Sequence, residues 1–475
     1  MKSSRSVLQA TAFACLLCIG VHFSRPASAQ SRQPADLFIT AKHIVTMDAS
    51  RRVLDDGAIA VRAGKIVAIG PRTEIEAKYT PARTLDARDK LVMPGLINGH
   101  THAAMSLLRG IADDMTLQDW LQKFIFPAEA RNVTEDFVTW GTRLGVIEML
   151  KGGTTTYADM YYFEDAVARE TKAAGMRGIL GETFIDFPAP DNKTMAQTLS
   201  YTEEFLKHWR GDPLIHAAPA PHSMYLCSEK TLKDAAALAR KYQAPILIHV
   251  SETKKEIDDS RAAHDGESPV AYLNRLGFLG PDVIAAHCVW VDADDIALLA
   301  KSRTGCVHNP SSNMMLASGV APVVQMLNAG LAVGLGTDGP AGSNNDLDMM
   351  EEMDLAAKLQ KVSRKDPQAL GAQQAVEMAT IRGAQAMHME NEIGSLEAGK
   401  DADLIVLNLD APNAVPLYNL YSQIVYALKA SDVEDVVING RVVMLNRHVL
   451  TLNEPEIVAR AREIAARVKQ SLQRP

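Results

Sequence analysis

The chain has few cysteines, 5 in 475 residues, and without residues 1–29 only Cys227, Cys288 and Cys306 would be left. A set this sparse and odd in number excludes a disulfide framework, so the fold must be held by its core. Positive charge is also in deficit, with 49 Lys and Arg against 57 Asp and Glu. Without residues 1–29, which carry Lys2, Arg5 and Arg25, the balance is 46 basic against 57 acidic side chains, a net of about −11, and a nucleic-acid binder is not expected. Several catalytic signatures are missing: H-E-x-x-H, the P-loop, G-x-S-x-G and P-C-x-x-C do not occur, which removes support for proteolysis, phosphoryl transfer and serine hydrolysis. Gly334 to Gly339 fits G-x-G-x-x-G, but Pro340-Ala341-Gly342-Ser343 comes next, where a dinucleotide-binding fold needs a helix start.

What is present is an ordinary globular composition, 47% hydrophobic and 22% charged. The length exceeds what one core organises and implies a large domain with a smaller companion. At the start, Lys2 and Arg5 precede the apolar run Ala10 to Phe23, and Ala27-Ser28-Ala29 offers a small-x-small cleavage pattern. Residues 1–29 therefore read as an export signal, and the protein as periplasmic or secreted. The run is short for a membrane span, so no stable anchor is expected after cleavage.

From Asp36 to Gly70, short β-rich runs alternate with turns. A similar set returns with Asp403 to Val406 and with Val436 to Val443, where Asn439-Gly440 signals a hairpin. Both ends are assigned to one β-sandwich, residues 30–93 and 391–475, the latter with a C-terminal helix. Residues 94–390 alternate strand and helix, which implies a parallel sheet: a (β/α)₈ TIM barrel or an open doubly wound sheet, in either case an α/β protein.

The apolar runs of this region end in chemically conspicuous residues. Leu91 to Asn98 leads to His100-Thr101-His102, Ile246 to Ile248 to His249, Val283 to Ala286 to His287, Gly305 to Val307 to His308, and Leu331 to Gly336 to Asp338. In a barrel the C-terminal strand ends share one face, so these residues would converge. On a strand, residues i and i+2 face one side, so His100 and His102 can reach one ion. Imidazoles with a carboxylate suit Zn²⁺ or Fe²⁺.

Met93-Pro94-Gly95-Leu96-Ile97-Asn98-Gly99-His100-Thr101-His102, with Leu107-Leu108-Arg109-Gly110, resembles the opening of the amidohydrolase superfamily. The nearest resemblance is to the branch of 5-methylthioadenosine/S-adenosylhomocysteine deaminases and related chlorohydrolases. Ala220-Pro221-His222-Ser223, His249-Val250-Ser251-Glu252-Thr253, Ala286-His287-Cys288, His308-Asn309-Pro310-Ser311-Ser312-Asn313 and Gly336-Thr337-Asp338-Gly339 carry it through the chain. The resemblance implies a TIM barrel joined to a β-sandwich built from both chain ends, and one divalent metal, zinc before iron, on His100, His102, His249 and Asp338. It further implies catalytic roles for Glu252, His287 and Asp338, and substrate contacts from Glu129 and His222. Such a metal lowers the pKa of its water toward about 7 and supplies hydroxide. His308 is left as a packing or supporting group, and Trp120 as a cover for the substrate or a core residue.

Two departures stand out. Family members that accept S-adenosylhomocysteine tend to carry an arginine after the strand Arg177 to Leu180; here Glu182 takes that place, and a carboxylate beside the substrate would repel the homocysteine tail. The loop Asp338 to Ser343 is one residue longer than usual. The expected activity is metal-dependent hydrolytic deamination of an adenine nucleoside or similar aminated heterocycle. The alternatives are removal of chloride or an alkylamine from a triazine-like ring, and an exported metal- or nucleoside-binding protein without catalysis. The expected partner is a small-molecule substrate, with a homo-oligomer left open.

Overall fold

The computed structural model describes residues 32–473; the proposed export signal lies outside them. Eight parallel strands succeed one another in chain order: Leu96–Thr101, Thr154–Tyr161, Arg177–Phe184, Ile215–Pro221, Ile246–Val250, Val283–His287, Gly305–His308 and Val333–Leu335. The eighth pairs with the first, Leu335 opposite Asn98. A bridge between Ser223 and His249 joins the fourth strand's exit to the fifth, which closes the barrel beside the histidines.

Each strand shows the two-residue alternation of a sheet buried on both faces. Ile97, Ala158, Met160, Ile179, Ala218, Leu247, Ile284 and Val307 fill the interior. Their neighbours Leu96, Tyr157, Leu180, Ile246, Ile248, Ala285 and Cys306 pack outward against the helices. Helices such as Glu229–Tyr242, capped by Ser228, and Ala293–Ser302, capped by Asp292, begin where side-chain oxygens accept the first orphan backbone N–H groups.

The second sheet also has eight strands and draws on both chain ends. Gln33–Val45, Val53–Arg62, Lys65–Pro71 and Tyr79–Pro94 join Leu404–Leu407, Val433–Ile438, Arg441–Leu445 and His448–Val449. The seam is Tyr79–Pro94 against Leu404–Leu407, with Leu404 opposite Pro94. The sheet curls so that its first arm meets the segment preceding its second: Lys65 bridges Asp401, and Leu37, Ile59, Ile66, Leu404 and Val437 share one core. Val433–Ile438 and Arg441–Leu445 turn through Asn439 (φ 48°) and Gly440 (φ 71°), the left-handed pair that a tight hairpin requires.

The apolar run Leu91 to Asn98 is divided: Leu91 to Pro94 belongs to the curled sheet and Leu96 onward to the barrel. The two bodies are locked below the barrel. Arg177, buried, donates from Nε to Asp403 Oδ2 and from Nη2 to Asp401 Oδ2, both at 3.0 Å, and from Nη1 to Pro213 O at 2.7 Å. The C-terminal helix Glu454–Leu472 packs on the barrel rather than on the curled sheet. Its Ile457, Ile464 and Val468 are buried, Lys151 pairs with Glu454 at 2.8 Å, and Arg460 pairs with Asp136 at 3.2 Å. Among the described residues no helix is long and apolar enough to cross a membrane.

Candidate active site

The strand ends bring the predicted residues together. The ligating atoms of His100, His249, His287 and Asp338 lie within 4.8 Å of one another, and all four side chains are buried. His102 Nε2 lies 3.2 Å from Asp338 Oδ1 and His100 Nε2 lies 3.4 Å from it. Five groups thus surround one point, with His287 inside the tight group alongside the expected ligands. His308 is outside it, turned toward Asn313, with Nδ1 and Nδ2 3.5 Å apart.

Simple alternation would not have aimed every one of these. Ile284 faces the barrel interior, so a regular strand would send His287 outward; the left-handed backbone at His287 (φ 74°) and Cys288 (φ 47°) accompanies its inward turn. Asp338 is also left-handed (φ 64°), and the first strand changes register between Asn98 and Thr101. Strain and irregular register of this kind gather where a side chain must be aimed. Gly336 permits the approach: a Cβ there would lie 2.5 Å from Asn309 Oδ1 and 2.8 Å from His100 N.

The surrounding hydrogen bonds fix which imidazole nitrogen faces inward. His102 Nδ1 donates to Met160 O at 2.6 Å and His249 Nδ1 to His222 O at 2.7 Å, leaving both Nε2 atoms free to ligate. His287 Nδ1 lies 3.1 Å from Asn313 Oδ1 and 3.2 Å from Asn309 Nδ2. Asp338 accepts from Ser312 Oγ at 2.7 Å and from its neighbour Gly339 N at 2.6 Å. Buried Nε2 atoms of His100 and His287 find no hydrogen-bond partner. Unmet inward-facing lone pairs around a carboxylate are what a divalent cation would satisfy.

The electrostatics agree. Burial presses His100 down to about 4 and His222 to about 3, and holds His249 well below its usual value, so these rings are neutral. His102 is the exception: burial lowers it, but the bond to Asp338 and that group's charge carry it to about 9. Asp338, despite burial, is held well below the ordinary carboxylate range by His100 and His102. His102 Nε2 and Asp338 Oδ1 face each other across 3.2 Å, a pair whose shifts each favour the charged form.

Around this point lies a pocket lined by His102, Trp120, Glu129, His222, Glu252 and His287, with apolar walls including Leu117, Leu121 and Phe126. Burial first, then the charge of Asp338, pushes Glu252 well above the usual carboxylate range. Burial also lifts Glu129 to about 7, although Tyr161 Oη donates to it at 2.7 Å. Trp120 both lines the pocket and donates from Nε1 to Ala341 O at 2.8 Å, tying the pocket's helical wall to the loop after Asp338.

Glu182 is not in the pocket. Leu180 packs outward, so Glu182 points outward as well, accepting from Asn192 Nδ2 at 3.0 Å and Glu164 N at 3.2 Å. The residue of that strand end that lines the pocket is Thr183. The expected repulsion of a substrate tail by Glu182 is therefore withdrawn; counting in twos from Leu180 would have shown it.

Sequence reasoning also missed the supporting groups. Ser312, Asn313 and Asn309 hold Asp338 and His287, which accounts for the polar run after His308. Asn98 Nδ2 donates to Thr337 Oγ1 at 2.8 Å and Thr337 N to Asn98 Oδ1 at 3.1 Å, fastening the first strand to the eighth. Glu256 accepts from Ser251 N at 2.9 Å and Glu252 N at 2.7 Å, presenting Glu252. The spacing Thr253-x-x-Glu256, a helix-start signature, was its available signal.

Comparison with known proteins agrees with this geometry. Residues 91–443 match the amidohydrolase family, and residues 57–82 match an imidazolonepropionase-like composite domain from bacteria. The chain is 47% identical to a 5-methylthioadenosine/S-adenosylhomocysteine deaminase of Syntrophobacter fumaroxidans, over 86% of this chain and 93% of that protein. It is 45% identical to a deaminase of the same description from Syntrophus aciditrophicus, over 93% and 99%. Its fold superimposes on the crystal structure of a zinc-bound adenosine deaminase from Xanthomonas campestris with a TM-score of 0.90 at 38% identity, covering 93% of this chain and all of that one. An atrazine chlorohydrolase of Arthrobacter aurescens shares the fold, with a TM-score of 0.83 at 22% identity over 90% of this chain. The chain belongs to the amidohydrolase family.

Proposed function

We propose that the protein is a metal-dependent hydrolase of carbon–nitrogen bonds other than peptide bonds that deaminates an adenine nucleoside or a similar aminated heterocycle. The observation that carries this reading is the placement of two buried carboxyls about one histidine, with His287 Nε2 3.9 Å from Asp338 Oδ2 and 4.0 Å from Glu252 Oε2. Burial pushes the Glu252 carboxyl up while His100 and His102 hold Asp338 down, the opposed pair that an addition–elimination on a ring amidine needs.

His100, His102, His249 and Asp338 would hold one divalent cation, with zinc the choice that the bound relatives support. Such a cation lowers the pKa of water and polarises it for attack at neutral pH. Asp338 takes one proton from the attacking water, and His287, fixed by Asn309 and Asn313, aims that water at the amine-bearing ring carbon. Glu252 donates its proton to the adjacent ring nitrogen, so the ring accepts the electron pair. Asp338 then returns its proton to the amine, which leaves as ammonia, and the second water proton restores Glu252 as the carbonyl forms. His222 and Glu129 line the pocket wall, from which they would contact the substrate. The N-terminal 29 residues support an exported, periplasmic or secreted enzyme acting on external substrate.

The test is ammonia release by the zinc-loaded protein from adenosine, 5-methylthioadenosine, S-adenosylhomocysteine, guanine, cytosine and aminotriazines, with Asp338→Asn as control. Ammonia that the control abolishes supports the reading. Chloride or alkylamine release from triazines without deamination of any panel member overturns it.

A further inference from the structure

One acid holds the supports of Asp338 from behind the pocket. Glu352 lies in the first turn of the helix Met349–Arg364, which follows the eighth barrel strand, and it is fully buried without lining the pocket. Both of its oxygens are taken by donors from other segments: Oε2 accepts from Ser311 N at 3.2 Å and Oε1 from Asn344 Nδ2 at 3.0 Å. Burying a carboxyl is costly unless its oxygens are bonded, and a Leu or Met would fill the space without that cost. The use of an acid here lies in those two bonds.

Each bond leads to Asp338 by a short path. Ser311 belongs to the short helix Pro310–Met315, whose first residue has no N–H and whose preceding Asn309 makes no side-chain capping bond, so Glu352 supplies the acceptor that Ser311 N would otherwise lack. The next residue, Ser312, donates from Oγ to Asp338 Oδ2 at 2.7 Å, and Asn313 Oδ1 lies 3.1 Å from His287 Nδ1. On the other path, Asn344 Nδ2 also donates to Thr337 O at 2.9 Å, one residue before Asp338, and Asn344 N donates to Gly339 O at 3.1 Å, one residue after it. Asp338 itself has left-handed backbone (φ 64°), a conformation that a non-glycine residue keeps only where its surroundings fix it from several sides.

Resting on the reading of Asp338 as metal ligand and proton carrier, we propose that Glu352 is a positioning residue: its carboxyl fastens residues 309–313 to residues 337–344 and thereby sets the direction of the Asp338 carboxylate. It acts through Asn344 and Ser312 rather than by contact with substrate. Its removal must therefore weaken metal binding and kcat while sparing KM, and part of that loss must depend on the Ser312 hydroxyl.

The experiment measures zinc affinity, by competition against a chromophoric chelator, for wild type, Glu352→Met, Glu352→Gln, Ser312→Ala and the double variant of Glu352→Met with Ser312→Ala, beside kcat and KM on adenosine at saturating zinc. Glu352→Met keeps the volume and removes both acceptors, and zinc affinity should fall by about 10- to 100-fold, with kcat lower and KM within twofold of wild type. Glu352→Gln restores one acceptor and should recover part of the loss; it also carries the test should Glu352→Met not fold. In the double variant the loss in zinc affinity should be smaller than the product of the two single losses, which two unconnected structural defects would not give. Zinc affinity within twofold of wild type in the Glu352 variants, losses that multiply in the double variant, or a loss confined to KM would each overturn the proposal. Wild type that binds zinc and releases no ammonia would defeat the deaminase reading instead, and the zinc titrations would still decide the role of Glu352. Wild type that binds no zinc would overturn both.

Discussion

Removal of one hydroxyl, Ser312→Ala, isolates the support of the metal-binding carboxylate. Ser312 Oγ donates to Asp338 Oδ2 at 2.7 Å, in a place where both residues are buried. The substitution keeps the Cβ, opens little space and leaves every expected ligand in place. A hydrogen bond to a charged group is worth about 1.5–3 kcal/mol, which corresponds to about 10- to 150-fold. Groups that orient metal ligands from behind cost about 10- to 100-fold when removed, so two independent scales agree. The expected result is zinc affinity lowered by about that factor in a competition titration against a chromophoric chelator, with kcat/KM at saturating zinc lower as well. The expected change in melting temperature is small, because Ser312 anchors the carboxylate rather than the core. Zinc affinity and kcat/KM both within twofold of wild type would refute the assignment of Asp338 as a ligand oriented by Ser312.

Glu252→Gln should lower kcat by about 10²- to 10⁴-fold with zinc content unchanged, since only the proton donor is lost; metal analysis beside steady-state kinetics checks it. Arg177→Met leaves Asp403 in the interior without its cation, while Asp401 keeps Lys65, and should cost about 3–5 kcal/mol in denaturant unfolding, with the site chemistry intact in the folded fraction. Gly336→Ala drives a Cβ against Asn309 Oδ1 and His100 N, so bound zinc and melting temperature should fall together. Glu129 supplies a pH test on metal-free protein. Its folded pKa of about 7 exceeds the ordinary value of 4.5, so its contribution is fully present below about 4.5 and is lost as pH rises through 7. Urea unfolding of Glu129→Gln should show less decline between pH 5 and 8 than wild type, and an identical pH slope would contradict the burial argument.

The barrel was legible because its strands end in chemically conspicuous residues: apolar runs leading to His249, His287 and Asp338 need only the rule that strand ends share a face. The hairpin at Asn439-Gly440 was legible for a similarly local reason, a dipeptide suited to left-handed backbone. Glu182 was misplaced because the family comparison supplied a position along the chain and not a face of the strand, and Leu180 packs outward two residues earlier. The division of Leu91 to Asn98 between two sheets rests on pairing partners far along the chain, Leu404–Leu407 for its first half and Thr154–Tyr161 for its second. Ser312, Asn313 and Glu256 escaped notice because their roles rest on hydrogen bonds to groups brought close by folding.

If His100, His102, His249 and Asp338 form one metal site that powers deamination, catalysis must track occupancy of that site. The most direct test is to strip the purified protein with chelator and add zinc in steps while following ammonia release from adenosine. Activity should rise linearly, break at one zinc per chain, and be absent at every zinc level in Asp338→Asn. Full activity in the stripped protein, or one tightly bound zinc with no ammonia released, would contradict the assignment.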